Sequence, residues 1–116
     1  MMLNKENRLR TRFEYKISKK YGKHLSGKYF HLYVLKPKNY QKDTKVGIVI
    51  SNKVSKSAVK RNRLKRLFRE AIRDNMTRLE NRSLWITVYP KTSSLEKSYE
   101  EISTDVTQVL QKVPLS

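Results

Sequence analysis

The sequence predicts one α+β domain over residues 1–116, an α/β two-layer sandwich in which helices pack on a mixed sheet of about four strands. The chain has 116 residues, a length typical of a single domain. Segments with helical apolar spacing alternate with short β-branched or aromatic runs, which gives the order α-β-β-α-β-α. Each predicted helix has a single apolar stripe, so it needs to be covered on one side only.

The first half of the chain contains a helix and one clear strand. Residues 5–21 are predicted to be helical because four apolar residues recur at four-residue spacing, namely Leu9, Phe13, Ile17 and Tyr21. Residues 29–36 are predicted to form a strand, in which Phe30, Leu32 and Val34 alternate with His31, Tyr33 and Leu35. A further short strand is possible within residues 24–35. Phe13 and Phe30 are assigned to the core.

The second half supplies the remaining elements. The β-branched run at residues 45–51 is typical of a buried central strand. Residues 57–76 are predicted to form a long helix, and residues 83–89 a strand with Trp85 in the core. Residues 94–113 are predicted to form the last helix, because Ser93 and Glu96 have the spacing of a capping box. Its apolar stripe consists of Leu95, Tyr99, Ile102, Val106, Val109 and Val113.

Charge is the strongest clue to function. Twenty-seven Lys and Arg residues against ten Asp and Glu residues give a net charge of +17. Residues 94–116 carry four acids and two bases, so the other 93 residues hold +19. Such segregation indicates one surface that binds a polyanion, and nucleic acid is the usual partner of so basic a domain. Acidic lipid and the ribosome are alternatives that charge alone does not separate.

Several classes of protein are disfavoured. The absence of cysteine excludes disulfides and thiolate metal sites, and it fits a cytoplasmic location. No run of about 20 apolar residues could span a membrane. We find no paired carboxylates, no nucleophile beside a histidine and no glycine-rich phosphate loop, so no catalytic residue is assigned. His24 and His31 lack the partners of a metal site, and both are interpreted as non-catalytic.

The densest basic segment begins just before the long helix predicted at residues 57–76 and continues along it. Residues 53–73 hold one acid, Glu70, and nine bases, namely Lys53, Lys56, Lys60, Arg61, Arg63, Lys65, Arg66, Arg69 and Arg73. On a helical wheel, one side carries Leu64, Leu67, Phe68, Ala71 and Ile72. The other side, which we call the basic ridge, carries Asn62, Lys65, Arg66, Arg69 and Arg73.

The order of charges along the basic ridge favours binding over mere solvation. Lys65, Arg69 and Arg73 are like charges at successive four-residue steps, an arrangement that destabilises an isolated helix. A solvated face would ordinarily mix the two signs. Arginine presents planar paired donors that match phosphate oxygens, and Asn62 could read a sugar hydroxyl or a base edge. The segment is therefore predicted to bind RNA.

The same segment carries a family resemblance. KVGIVISNKVSKSAVKRNRLKRLFREAIR, residues 45–73, resembles the signature of the bacterial ribonuclease P protein family, and the matching positions include Arg61, Asn62, Arg63, Lys65, Arg66, Leu67, Arg69 and Glu70. NRLRTRFEY (7–15) and YFHLYVLKPKN (29–39) resemble the family's first helix and first long strand. Residues 75–116 agree in element order only.

The resemblance implies a division of labour and a fold. In that family the catalytic subunit is RNA, and the protein binds it together with precursor tRNA, whose 5′ leader is removed by phosphodiester hydrolysis. Mg²⁺ is expected to act mainly through the RNA, and no small-molecule substrate or membrane is expected. The protein alone should be inactive. The resemblance also implies a left-handed βαβ crossover, against the general right-handed preference.

The resemblance further implies a cleft for the leader between the first helix and the sheet, which we call the aromatic cleft. Tyr15 matches an aromatic residue of the family's first helix, and Tyr33 matches one on the sheet. Lys19 stands where many members carry a second aromatic residue, and His31 shares a face with Tyr33. Stacking on bases would suit both tyrosines. Ordinary core packing with the hydroxyl at the rim is the alternative.

Two other functions compete with this one. A ribosomal or ribosome-associated protein could combine a sheet, helices and a basic ridge, but it has no reason to share the motif at residues 61–70. A binder of anionic membranes would leave apolar residues exposed beside its bases. Each predicted apolar stripe is instead consumed by a plausible core.

Overall fold

A computed structural model of the protein describes residues 8–9, 11–38, 43–79 and 82–113. Four helices and four strands follow one another along it, with a 3₁₀ turn at Thr92–Ser94 before the last helix. Their bounds are α1 Arg12–Tyr21, β1 Lys23–Ser26, β2 Phe30–Leu35, β3 Lys45–Ile48, α2 Ala58–Arg73, α3 Met76–Leu79, β4 Trp85–Pro90 and α4 Tyr99–Leu110. The sequence also predicts a polar turn at residues 38–44, and part of it lies outside the described residues.

The four strands form one mixed sheet in the order β1-β2-β4-β3. β1 pairs with β2 and β2 with β4 in antiparallel fashion, whereas β3 and β4 are parallel and are connected through α2 and α3. The predicted α+β class and mixed sheet are confirmed, and β1 is the additional short strand. The handedness of the β3-α2-β4 crossover stays a prediction.

The expectation that residues 45–51 form a central strand is wrong, because β3 lies at the edge of the sheet and β4 takes the central place. The β-branched composition has another cause. Val46 and Ile48 face the main core, and the outer edge of β3 is partly covered by a parallel bridge between Arg8 and Val46. The Leu9 amide donates to the Val46 carbonyl at 3.1 Å.

The main core lies on one face of the sheet, beneath α2 and α4. It takes the alternate residues of β2 and β4 together with the apolar stripes of the two helices; its largest fully buried members include Phe30, Leu32, Leu64, Phe68, Ile72, Ile86, Val88, Ile102 and Val106. The Phe30 and Phe68 rings meet edge to face at 5.5 Å between centroids. The apolar stripe predicted for α2 is therefore confirmed.

α1 crosses the opposite face, and its structure corrects two expectations. The helix begins at Arg12 rather than near residue 5, because Thr11 and Glu14 form a reciprocal capping box. Residues 8–9 lie along β3, and residues 5–7 and 10 lie outside the described part of the chain. Phe13 is 66% exposed and is not a core residue. α1 buries Glu14 and Ser18 instead, and Phe13 and Tyr21 of its predicted apolar stripe stay exposed.

Two further expectations change in the last part of the chain. The capping box of α4 is formed by Ser98 and Glu101, not by Ser93 and Glu96, because a 3₁₀ turn and a short connection occupy residues 92–98. Trp85 is half-buried on the α1 face of the sheet rather than in the main core. The predicted stripe of α4 does enter the core through Ile102, Val106 and Val109.

Candidate nucleic-acid interface

The basic ridge lies on the outer side of α2, where the sequence places it. The helix anchors Leu64, Phe68, Ala71 and Ile72 in the core. The opposite side therefore projects from the body of the domain: Asn62, Lys65 and Arg66 are exposed, and Arg69 and Arg73 are half-buried. Sixteen helical residues hold these side chains in a fixed order, which suits a row of phosphates.

The ridge keeps most of its positive charge unneutralised. Within the described part of the chain, Lys65, Arg66 and Arg69 have no acidic side chain within 4.0 Å, and Arg73 has one, Asp74 at 3.8 Å. Three uncompensated cations on one helix face repel one another, and an anion placed against them removes that repulsion.

The other predicted RNA-binding residues do not all share this direction. Arg61 turns back and donates from Nη1 to the Ser55 carbonyl at 2.7 Å, so it fixes the loop before α2. Lys53 and Lys56 are exposed on that same loop. Lys60 and Arg63 lie on the far flank of the helix. There they line a hollow of about 630 Å³ with Thr92, Ser93, Leu95, Glu96 and Lys97.

A cluster of rings occupies the sheet face beside α1. The Tyr33 ring lies 5.0 Å from His24 and 5.7 Å from Tyr89, and the two histidine rings are 5.1 Å apart. Lys19 extends from α1 and places its Nζ 5.1 Å from the Tyr89 ring centroid. The structure therefore brings together three of the four predicted residues of the aromatic cleft, with a lysine over one ring of the cluster.

The two histidines of the cluster form a hydrogen-bonded pair. His24 Nε2 and His31 Nδ1 are 2.9 Å apart, so one ring donates and the other accepts. Burial lowers the pKa of His31, and the positive charges of Lys91, His24 and Lys19 lower it further. A neutral His31 maintains the pair, and it presents a flat polar ring next to Tyr33.

Tyr15, the fourth residue of the predicted cleft, has a packing role as well. Its hydroxyl donates to the Leu9 carbonyl at 3.1 Å, and its ring lies directly over Gly47 of β3. Burial is the first cause that raises the pKa of its hydroxyl, followed by Tyr89 and Glu14. The side chain is half-buried rather than fully enclosed, so packing and contact with a ligand are compatible at this position.

Tyr15 also joins two surfaces that the sequence treats as separate. It lines a hollow of about 150 Å³ together with Lys65 and Arg69 of the basic ridge, and residues of β3 form the floor. One flank of the basic ridge thus borders the α1 side of the sheet. A nucleic acid bound on the basic ridge and a single-stranded nucleic acid bound in the aromatic cleft would lie close together.

Tyr89 and His24 are members of the cleft that sequence reasoning missed. Strand alternation places Tyr89 on the same face as Trp85, but the assignment of Trp85 to the core hid that this face is the one beside α1. The residue opposite Tyr89 on the neighbouring strand could not be predicted, because the pairing of Tyr89 with His31 depends on the strand order. His24 lies on β1 opposite Tyr33 of β2, and the sequence left the bounds of β1 open.

The described residues contain no group of three or more His, Cys, Asp or Glu side chains that could hold a metal ion. None of the helices formed by these residues is both long and apolar enough to cross a membrane.

Known proteins resemble this chain along nearly all of its length. A family model described as Ribonuclease P matches residues 3–114. The ribonuclease P protein component of a Pseudanabaena species is 37% identical, with 96% of this chain and 94% of the relative covered. That of a Clostridium botulinum strain is 34% identical, with 93% and 95% covered.

Solved structures agree with the fold described above. The ribonuclease P protein of Thermotoga maritima has a TM-score of 0.78 at 26% identity, with 92% of this chain and 97% of that chain covered. The Staphylococcus aureus protein has a TM-score of 0.80 over 92% and 94%; at 22% identity it shows the fold alone. The family match decides against the ribosomal alternative. A basic ridge, an aromatic face and these relatives lead to one conclusion: the chain belongs to the ribonuclease P protein family.

Proposed function

We propose that this protein binds the catalytic RNA of ribonuclease P through the basic ridge and holds the 5′ leader of precursor tRNA in the aromatic cleft. The complex would remove the leader by endonucleolytic hydrolysis and leave the mature 5′ end. One observation carries the proposal: Lys65 and Arg69 of the basic ridge line the same hollow as Tyr15 of the aromatic cleft. Phosphate contacts and base stacking are thereby offered side by side.

Chemistry is assigned to the RNA subunit. The residues that would face RNA are mainly lysines, arginines and aromatic rings, and these groups do not fit Mg²⁺, which prefers oxygen ligands such as carboxylates. We therefore expect Mg²⁺ to be held mainly by RNA phosphates, with the protein alone inactive. The location expected from the sequence, the cytoplasm, stays a prediction.

Reconstitution tests the proposal as a whole. The protein is added to a ribonuclease P RNA, and 5′ cleavage of precursor tRNA is measured at low Mg²⁺. We expect cleavage that neither component supports alone under these conditions. Cleavage by protein freed of RNA, or no effect of the protein on the RNA, would refute the assignment.

Two variants separate the two surfaces. Tyr33→Leu keeps apolar bulk and removes the ring, so precursor tRNA should bind less tightly by about 1–3 kcal/mol while mature tRNA, which has no leader, is unaffected. Arg66→Ala removes one ridge charge and should weaken assembly with the catalytic RNA for both substrates alike. A folded Tyr33→Leu protein with an unchanged ratio of precursor to mature affinity would exclude Tyr33 from leader binding.

A further inference from the structure

The outer side of α1 exposes two large rings that the aromatic cleft does not use. Phe13 is 66% exposed and Tyr21 is 62% exposed. They lie eight residues apart, about 12 Å along the helix axis, with half-buried Ile17 between them on the same side. α1 leaves this stripe outside because it buries Glu14 and Ser18 against the sheet. Two exposed rings on one side of a helix, with a third apolar side chain between them, form a candidate binding surface.

The charge around the stripe indicates an anionic ligand; exposed apolar residues beside basic ones would also suit an anionic membrane, and the family match favours RNA. α1 carries four bases, namely Arg12, Lys16, Lys19 and Lys20. Its one acid, Glu14, is buried and pairs with Lys45 at 3.3 Å. Lys20 Nζ lies 5.3 Å from the centroid of the Tyr21 ring, so a cation and a ring already share one site. Accessible aromatic rings among lysine and arginine side chains suit single-stranded nucleotides. The nucleobases stack on the rings, and the phosphates pair with lysine.

Two adjacent lysines connect the stripe with the aromatic cleft. Lys19 reaches over Tyr89 on the sheet side of α1, whereas Lys20 reaches over Tyr21 on the outer side. A single-stranded nucleic acid that leaves the aromatic cleft therefore meets positive charge on both sides of α1. The same polyanion can pass from one side to the other.

We propose that Phe13 and Tyr21 form a second stacking platform, which binds leader nucleotides beyond those held in the aromatic cleft. This inference rests on the proposed function, because it requires the leader to occupy the cleft first. It adds a site on the opposite side of α1 and predicts that long leaders are bound more tightly than short ones.

A leader-length series in the holoenzyme tests the platform. Precursor tRNAs whose leaders grow one nucleotide at a time are bound to enzyme carrying the Phe13→Ala/Tyr21→Ala double substitution. For the wild type, we expect affinity to rise again once the leader extends past the cleft. In the variant this second rise should be lost, about 5-fold or more for each ring removed. The shortest leaders and mature tRNA should bind as in the wild type, and the salt slope should not change, since no charge is removed.

Matched controls keep the test decisive. Val59→Ala removes a side chain that is 79% exposed from α2, and it should leave the length series intact. Phe13→Leu/Tyr21→Leu keeps apolar bulk on α1 and should lose the second rise like the alanine pair. A second rise that survives in a folded variant overturns the platform. Equal weakening for every leader length and for mature tRNA overturns it too, because the stripe would then hold the RNA subunit.

Two more outcomes are informative. If the wild-type protein self-associates in sedimentation and the double variant does not, with RNA binding unchanged, the stripe is a protein interface and the proposal is wrong. If the proposed function itself is wrong, the result is different: Tyr33→Leu then leaves the affinity unchanged even for precursor tRNA with the shortest leaders.

Discussion

The Gly47→Ala substitution tests how α1 is seated on the sheet. A Cβ atom at position 47 would lie 2.6 Å from Cζ of Tyr15, closer than side chains normally approach, and would clash with other atoms of that ring. No glycine among the described residues has a positive φ, so the glycine is needed for space and not for backbone conformation. The added methyl group must push Tyr15 away from β3.

The expected cost follows from three contributions. Overpacking of a fitted contact costs about 1–3 kcal/mol. Displacement of the ring also breaks the hydrogen bond from Tyr15 to the Leu9 carbonyl, worth about 0.5–1.5 kcal/mol. Replacement of glycine by alanine restricts the unfolded chain and returns about 0.4–1 kcal/mol. We therefore expect Gly47→Ala to lower the free energy of unfolding by about 0.5–4 kcal/mol.

A double-mutant cycle with Tyr15→Ala isolates the contact. Urea unfolding of the wild type, both single variants and the double variant gives the four free energies of unfolding. Once the ring is gone, Gly47→Ala should be neutral or slightly stabilising, so the coupling energy should exceed about 1 kcal/mol. If Gly47→Ala costs the same in both backgrounds, the ring is not what requires the glycine, and the reasoning fails.

Three other predictions concern charge, pH and the loop before β2. The affinity for the RNA subunit should fall with salt, with a slope of about −4 or steeper when the logarithm of the binding constant is plotted against that of the salt concentration. Arg66→Ala should flatten that slope by about 1. A wild-type slope near −1 would contradict an RNA-bound ridge. Because the pKa of His31 is lowered below its ordinary 6.5, its contribution to stability is present above about pH 6.5 and is lost as the pH falls through the folded pKa. Urea unfolding of His31→Asn across that range should lack this step. Asp105→Ala should cost about 3 kcal/mol in the same assay, because its buried carboxylate accepts the Lys28 and Tyr29 amides at 2.9 Å each; a loss below about 1 kcal/mol would mean that water replaces it.

The main core could be predicted from periodicity because its pattern is strong. β2 alternates between buried and half-buried residues over its whole length, and α2 confines its apolar residues to one side. α1 misled the prediction for a physical reason. Its four-residue apolar spacing is real, but the buried side is set by the Glu14–Lys45 pair and by the close approach of Tyr15 to Gly47. Contacts between residues so distant in sequence leave no periodic trace.

The candidate site was partly predictable for a related reason. Helical geometry alone places the basic ridge, since its members are local in sequence. The cleft needs strand neighbours: Tyr89 stands beside His31 only because β4 pairs with β2, and β3 became an edge strand through the same order. β-branched composition reports that a strand is covered on both faces, but it does not tell how many neighbours the strand has.

The polar burial of α1 has a consequence for cooperativity. None of the buried apolar residues that form the main core belongs to this helix. Its attachments among the described residues include the Glu14–Lys45 ion pair, the Tyr15 hydroxyl and contacts of polar side chains with the sheet. We therefore expect α1 to open locally at a lower free energy than global unfolding. Amide protons of α1 should exchange with solvent well before those of α2 and β4, and RNA bound on either side of the helix should slow them. Part of the binding free energy would then be used to order α1. RNA binding would therefore change the dynamics of the protein through this helix.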